Sequence, residues 1–191
     1  MSDDDACTII TVDGKEVGRC PSADTGRPHN HQPRLAIVHE AIVPWTEVIA
    51  QQHVETGARR SVHEKFIEWT GQRMVVLGRY DPGMIIERHA HRSDHLIYVL
   101  EGELACGEYP CPRGTLIVLE EGAVFGPLIA DASEGCLLFE TWLDTPMPVS
   151  VDKPGYNQLL ADNKHVRLPN PPFTPPPHAQ PGQFGTGDRF S

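Results

Sequence analysis

The sequence predicts an all-β fold, a double-sheet antiparallel barrel that carries extra strands and one short helix on its N-terminal side. Three observations point there. Between Ala58 and Thr145, short runs rich in β-branched and aromatic residues recur at regular intervals. Gly and Pro punctuate those runs where turns are needed. A chain of 191 residues, 39% of them hydrophobic, also has enough apolar material for one domain with its own core.

The elements follow in order. The head, residues 1 to about 43, has little periodicity apart from Ile9-Ile10-Thr11-Val12 and Leu35-Ala36-Ile37-Val38, which read as two edge strands. Pro44 and Glu47 place a short helix over Trp45–Val54. Strands are expected at Ser61–Trp69, Gln72–Tyr80, Met84–His91, His95–Glu101, Thr115–Leu119 and Cys136–Trp142. Turns fall at Thr70-Gly71, Glu101-Gly102 and Gly107-Glu108-Tyr109-Pro110. Seven prolines between Leu168 and Pro181 rule out helix or sheet interior there and predict an extended arm lying over its own barrel or a neighbour. The expected organisation is an N-terminal extension packing on the barrel (1–57), the barrel (58–145) and a Pro-rich arm (146–191).

Composition narrows the function. With 16 basic against 26 acidic residues the net charge is −10, a field that repels phosphate backbones, so nucleic acid is not an expected partner. No stretch approaches the roughly 20 apolar residues of a membrane helix, and the acidic start Met1-Ser2-Asp3-Asp4-Asp5 is unlike a secretory signal; a cytoplasmic protein is expected. Cys7, Cys20, Cys106, Cys111 and Cys136 are odd in number and contain no Cys-x-x-Cys pair, which reads as free thiols.

The chemistry concentrates in Gly83-Met84-Ile85-Ile86-Glu87-Arg88-His89-Ala90-His91-Arg92-Ser93-Asp94-His95. On a strand, His89 and His91 share a face because side chains alternate with period two. A tight Arg92-Ser93-Asp94 turn then lets His95 open the neighbouring strand toward the same interior. Three neutral imidazoles converging this way suit one divalent ion and leave positions on it open. A lone strand histidine is usually a surface polar group, but three within seven residues on inward positions argue for ligation. Glu87 shares their parity and is the candidate base, unless a bulge turns it outward; Glu140 is a weaker candidate. His29-Asn30-His31 reads as a solvated loop, His39, His53, His63, His165 and His178 as isolated, and Trp45, Trp69 and Trp142 as core or interface aromatics.

The spacing Gly83-x5-His89-x-His91-x3-His95-x6-Gly102 resembles the first cupin motif, with His95 in place of the family's glutamate. Gly114-x5-Glu120-Glu121-Gly122-x2-Phe125-x3-Ile129 falls in frame with the second, with Phe125 where the family has a histidine ligand. One exchange removes an anionic ligand and the other an imidazole, so three protein ligands remain. Over residues 58 to 145, Arg79-Tyr80-Asp81-Pro82-Gly83, Val99-Leu100-Glu101-Gly102, Gly107-Glu108-Tyr109-Pro110 and Gly135-Cys136-Leu137-Leu138-Phe139 are similar to the ChrR-like branch. That branch includes acetylacetone-cleaving and dihydroxyacetophenone-cleaving dioxygenases as well as anti-sigma sensor domains.

The resemblance implies a cupin jelly roll, a homodimer, and one divalent metal, Fe(II) first and then Zn, Ni, Cu or Mn. An all-imidazole site leaves the full charge on the ion and stabilises enolates. The expected function is therefore a dioxygenase acting on a small ketone or enol substrate, with Phe125 as an apolar pocket wall. A metal-dependent lyase or isomerase, a metal- or ligand-sensing cupin, and a cupin without chemistry are the alternatives.

Overall fold

In the computed structural model, residues 9–10 and 35–174 are described, and they fall into two units, 1–44 and 45–191. Cys7, Cys20, His29, Asn30, His31 and His178 lie outside the described residues, as do Thr11 and Val12 and the arm beyond Thr174. In the first unit, strands β1 (Ile9–Ile10) and β2 (Leu35–Ala36) pair with each other in parallel. A single 3-10 turn follows at Glu40–Ile42, with the His39 ring accepting from the Ala41 amide at 3.1 Å.

The second unit is built on one antiparallel sheet of ten strands. Its long members are β3 (Thr46–His53), β4 (Arg59–Trp69), β5 (Met74–Tyr80), β8 (His95–Cys106) and β12 (Cys136–Trp142). Shorter ones are β6 (Ile85–Ile86), β9 (Tyr109–Pro112), β10 (Leu116–Leu119), β11 (Leu128–Ala130) and β14 (His165–Arg167). The path runs β14-β3-β4-β5-β12-β8-β11-β6, with β9 and β10 also on β8. A second sheet pairs β7 (His89–His91) with β13 (Pro148–Ser150). The large sheet curls around a core that includes Phe66, Met74, Val76, Ile97, Val99, Leu104 and Leu138, which gives the double-sheet jelly-roll architecture.

Three expectations change. Trp45–Val54 is not a helix but largely strand β3, because Thr46, Val48 and Ile49 are β-branched and Val48, Ala50 and Gln51 are buried against the barrel. Glu101-Gly102 is not a turn: β8 runs through it. A register shift against Leu137/Leu138 marks a bulge, and Gly102, at φ +69°, crosses so near Gly135 that a Cβ would come within 2.1 Å of its carbonyl oxygen. The stretch 146–191, expected as an extended arm, first forms β13, helix α1 (Lys153–Asp162) and β14. Asp152 caps α1 by accepting from the Gly155 amide at 2.9 Å, and Pro154 sits in its first turn. Beyond β14 the chain does extend, and Phe173 packs on Phe66 and Trp69 of its own barrel. Cys106, Cys111 and Cys136 are free thiols. The described residues contain no helix long and apolar enough to cross a membrane.

Candidate functional site

β7 delivers His89 and His91, and β8 delivers His95. These strands are not neighbours in one sheet, as the sequence suggests: β7 pairs with β13, and β8 pairs with β12 and β10. The Arg92-Ser93-Asp94 connection instead steps from one sheet to the other, and the imidazoles meet in the space between them. His91 is the centre, with ring centroids 4.9 Å from His89 and 4.8 Å from His95. All three are buried.

Each ring is fixed differently. His89 Nδ1 donates to the Glu87 carbonyl at 2.8 Å, which leaves Nε2 as the lone-pair nitrogen of the neutral ring. His95 Nε2 donates to Glu140 Oε2 at 3.2 Å, and its ring stacks on Trp142 at 4.1 Å. Neither nitrogen of His91 has a hydrogen-bond partner of good geometry, and the Pro146 and Met147 backbone lies near the ring. Burial first, then the neighbouring His95 and His89, push its pKa down to about 2, while the backbone of Pro146 and Met147 pulls weakly the other way. Burial also lowers His89, opposed by the Glu87 carbonyl and carboxylate and by Glu140. His89 and His91 are therefore held as neutral imidazoles, the form that ligates a metal.

Phe125 stands against His89, with centroids 4.3 Å apart and a mutual backbone pairing between the two residues. Glu87 lies just before β7, half-buried at the cavity wall, and its Oε2 accepts from Ser150 Oγ at 2.7 Å. The cavity, about 90 Å³, is also lined by Glu64, Tyr80, Glu140 and Trp142. Glu140 accepts from Tyr80 Oη at 3.5 Å as well as from His95. Burial, then Glu140 and Glu64, push the Tyr80 hydroxyl well above its ordinary range. Trp142 is a core residue, as the sequence reading has it, and also lines the cavity. Its inward parity with Glu140 on Cys136–Trp142 was the available signal. Glu64 and Tyr80 carry no comparable mark in the sequence. His53 and His165, read as isolated, face each other across β3 and β14 at 5.1 Å, away from this site.

The donor set suits a divalent transition metal in type. With metal–nitrogen bonds of about 2.1 Å, ligand ring centroids around one ion stand roughly 4.5 to 5.2 Å apart, and His91 lies 4.9 Å from His89 and 4.8 Å from His95. The unengaged nitrogens of His91 are polar atoms that burial would otherwise leave uncompensated. Among the described residues, however, no three His, Cys, Asp or Glu side chains already stand in metal-holding geometry. His95 turns its Nε2 to Glu140, so its Nδ1 is the nitrogen left to complete a set.

No family model matches the chain, and no curated protein matches it. Similar solved structures include KdgF from Halomonas sp., at 20% identity over 50% of this chain and 86% of that one, with a TM-score of 0.39. The polyketide cyclase RemF from Streptomyces resistomycificus is 16% identical over 64% and 91%, with a TM-score of 0.49. Rhodobacter sphaeroides SigE in complex with the anti-sigma ChrR gives 17% over 53% and 50%, with a TM-score of 0.41. With a curled antiparallel sheet as its body and the histidines of the Gly83–Gly102 stretch turned into its interior, the chain has an architecture consistent with the cupin jelly-roll fold.

Proposed function

We propose that the protein is a metal-dependent oxygenase that enolises a small ketone and cleaves it with dioxygen. The observation that carries this reading is the set of three buried imidazoles, opening into a small cavity lined by apolar side chains and by carboxylates. A divalent ion held by His89, His91 and His95, Fe(II) first, would supply Lewis acidity toward the substrate oxygens and, as iron, reactivity toward dioxygen.

The remaining work falls to the chain. Phe125 and Trp142 exclude water and receive the apolar part of the substrate. Glu87 takes the proton from the carbon next to the carbonyl, and the electron pair stays on the substrate as an enolate. The Ser150 hydroxyl holds that carboxylate at the wall. Glu140 is a positioning residue: it orients His95 through Nε2 as second carboxylates commonly orient ligating rings. Dioxygen then adds to the enolate carbon, the adjacent carbon–carbon bond breaks, and both oxygen atoms leave in the two products, so no external reductant is needed.

A second reading, a lyase or isomerase that stops at the enolate, is favoured by the buried Tyr80–Glu140–His95 chain, which can relay protons without oxygen. Oxygen uptake by iron-loaded protein across a panel of β-diketones, hydroxyketones and phenols separates the two. Uptake with at least one diketone, lost in Glu87→Gln, is expected. Exchange of the substrate proton for deuterium without uptake would move the assignment to the second reading, and the absence of both would remove the enzyme.

A further inference from the structure

A second cleft, of about 430 Å³, opens beside His53 and His165, the paired residues of β3 and β14, and its lining has no residue in common with the histidine cavity. Small-ligand sites commonly measure roughly 300 to 1,000 Å³. Alternation along β6 separates the two spaces: Ile86 lines the histidine cavity and Ile85 lines the cleft. Ile85, Ile129 and Ala105 stand in register across β6, β11 and β8, which gives the cleft an apolar strip about 10 Å wide.

The polar lining is largely uncommitted. His165 is 3% exposed, and its Nδ1 donates to the Asn163 carbonyl at 2.6 Å, so Nε2 is the lone-pair nitrogen; that buried nitrogen has no hydrogen-bond partner. His53 is the reverse. Its Nδ1 accepts from the Glu55 and Thr56 amides, both at 3.3 Å, so Nε2 bears the hydrogen. Arg60 Nη1 donates to the Gly83 carbonyl at 3.1 Å, and the other guanidinium N–H groups have no partner among the described residues. Gly83 makes room for that guanidinium, since a Cβ there would stand 2.7 Å from Nη1. Glu103 and Asp131 add two carboxylates to the lining.

We propose that this cleft is a binding site for a neutral polyhydroxylated ligand, a sugar or a sugar-like polyol. Charge and hydrogen-bonding capacity select that class. An anion would meet two carboxylates against one guanidinium, in a chain of net charge −10. A metal ion would meet the guanidinium and a His53 nitrogen that already bears hydrogen. His165 Nε2 and the two carboxylates are satisfied by groups that donate, whereas Arg60 and His53 Nε2 are satisfied by groups that accept. A hydroxyl does both, and neighbouring hydroxyls on one ring reach donors and acceptors together. The C–H face of the same ring covers the strip of Ile85, Ile129 and Ala105. Because no lining residue is shared, this site stands apart from the chemistry proposed inside the barrel.

Titration of the isotopically labelled full chain with glucose, galactose, mannose and myo-inositol, followed by long-range proton–nitrogen correlation of the imidazoles, tests it. At least one of these should give a saturable, millimolar shift of His165 Nε2 while the His89, His91 and His95 signals stay in place. Arg60→Gln and Glu103→Gln each remove a charged hydrogen-bond partner and should weaken binding on the order of tenfold. Glu103 is exposed, so its exchange leaves the fold intact even where Arg60→Gln does not. No saturable shift with any of the four compounds would overturn the proposal, and so would an unchanged affinity in Glu103→Gln. A shift of His165 with inorganic phosphate or Zn²⁺ and with none of the four would give the cleft to an ion and overturn it equally.

Discussion

His91 combines deep burial with two unengaged ring nitrogens, a state that costs free energy unless something fills it. Replacing it by Ala removes the central imidazole of the cluster while leaving β7 pairing to β13 through its backbone. Metal content after loading and gel filtration, measured by elemental analysis, should therefore fall more than tenfold in His91→Ala. Equal content in the two proteins would remove the metal assignment. At this scale the sequence was most informative where one short stretch did the placing: period-two parity put His89 and His91 on one side, and four residues later His95 entered the same space. It was silent where partners arrive from far along the chain. Trp142 stacks on His95 from 47 residues further along the chain. Glu64 and Tyr80 enter only because the sheet curls.

Strand β8 shows how an element corrects a local reading. A Glu-Gly pair between apolar runs has turn composition, yet here the glycine sits inside a strand of 12 residues, two residues past the bulge at Leu100, where the strand passes closely over Gly135. The bulge also resets parity: His95, Ile97 and Val99 point inward before it and Leu104 after it, so Glu101 and Glu103 remain outside. Gly102→Ala must place a Cβ against a carbonyl at a left-handed φ, and a loss on the order of 3 kcal/mol is expected in urea unfolding. A change within experimental error would mean that the crossing relaxes freely. Helix α1 was legible after all in Asp152 and Pro154, its cap and first turn, but the prolines beyond it drew the whole segment toward an extended reading. Its docking is tertiary: Tyr156 Oη donates to the Ile85 carbonyl at 3.3 Å and accepts from Gln51 Nε2 at 3.0 Å. The strand at Thr46–His53 was hidden by Pro44 and Glu47, which are helix-start residues only when a helical apolar stripe follows them.

Across the whole molecule, acid sensitivity has a definite sign. Burial lowers the pKa of His165, with Arg60 and His53 adding to it and the Asn163 carbonyl opposing. The unfolded chain thus takes up a proton before the folded one as pH falls below about 6.5. Stability should hold above that value and decline beneath it. A second decline should follow at lower pH, as protonation reaches Glu47, whose carboxyl Arg59 holds below its usual range against the opposing effect of burial. Urea midpoints at pH 7.5 and 5.5 should differ in that direction, with a shallower difference in His165→Gln; a midpoint that rises on acidification would contradict the assignment. The jelly-roll class and most strands were legible from the spacing of apolar runs, whereas the sheet partnership of each strand was not, since pairing depends on contacts between distant segments. The three-residue step between β7 and β8 has a kinetic consequence. It joins the two sheets through three residues, and closing so short a connection costs little chain entropy. In a fold whose strand pairings otherwise wait on distant segments, the two layers are tied at the histidine cluster before the rest of the barrel needs to find its register, so the candidate site doubles as a place where folding can begin.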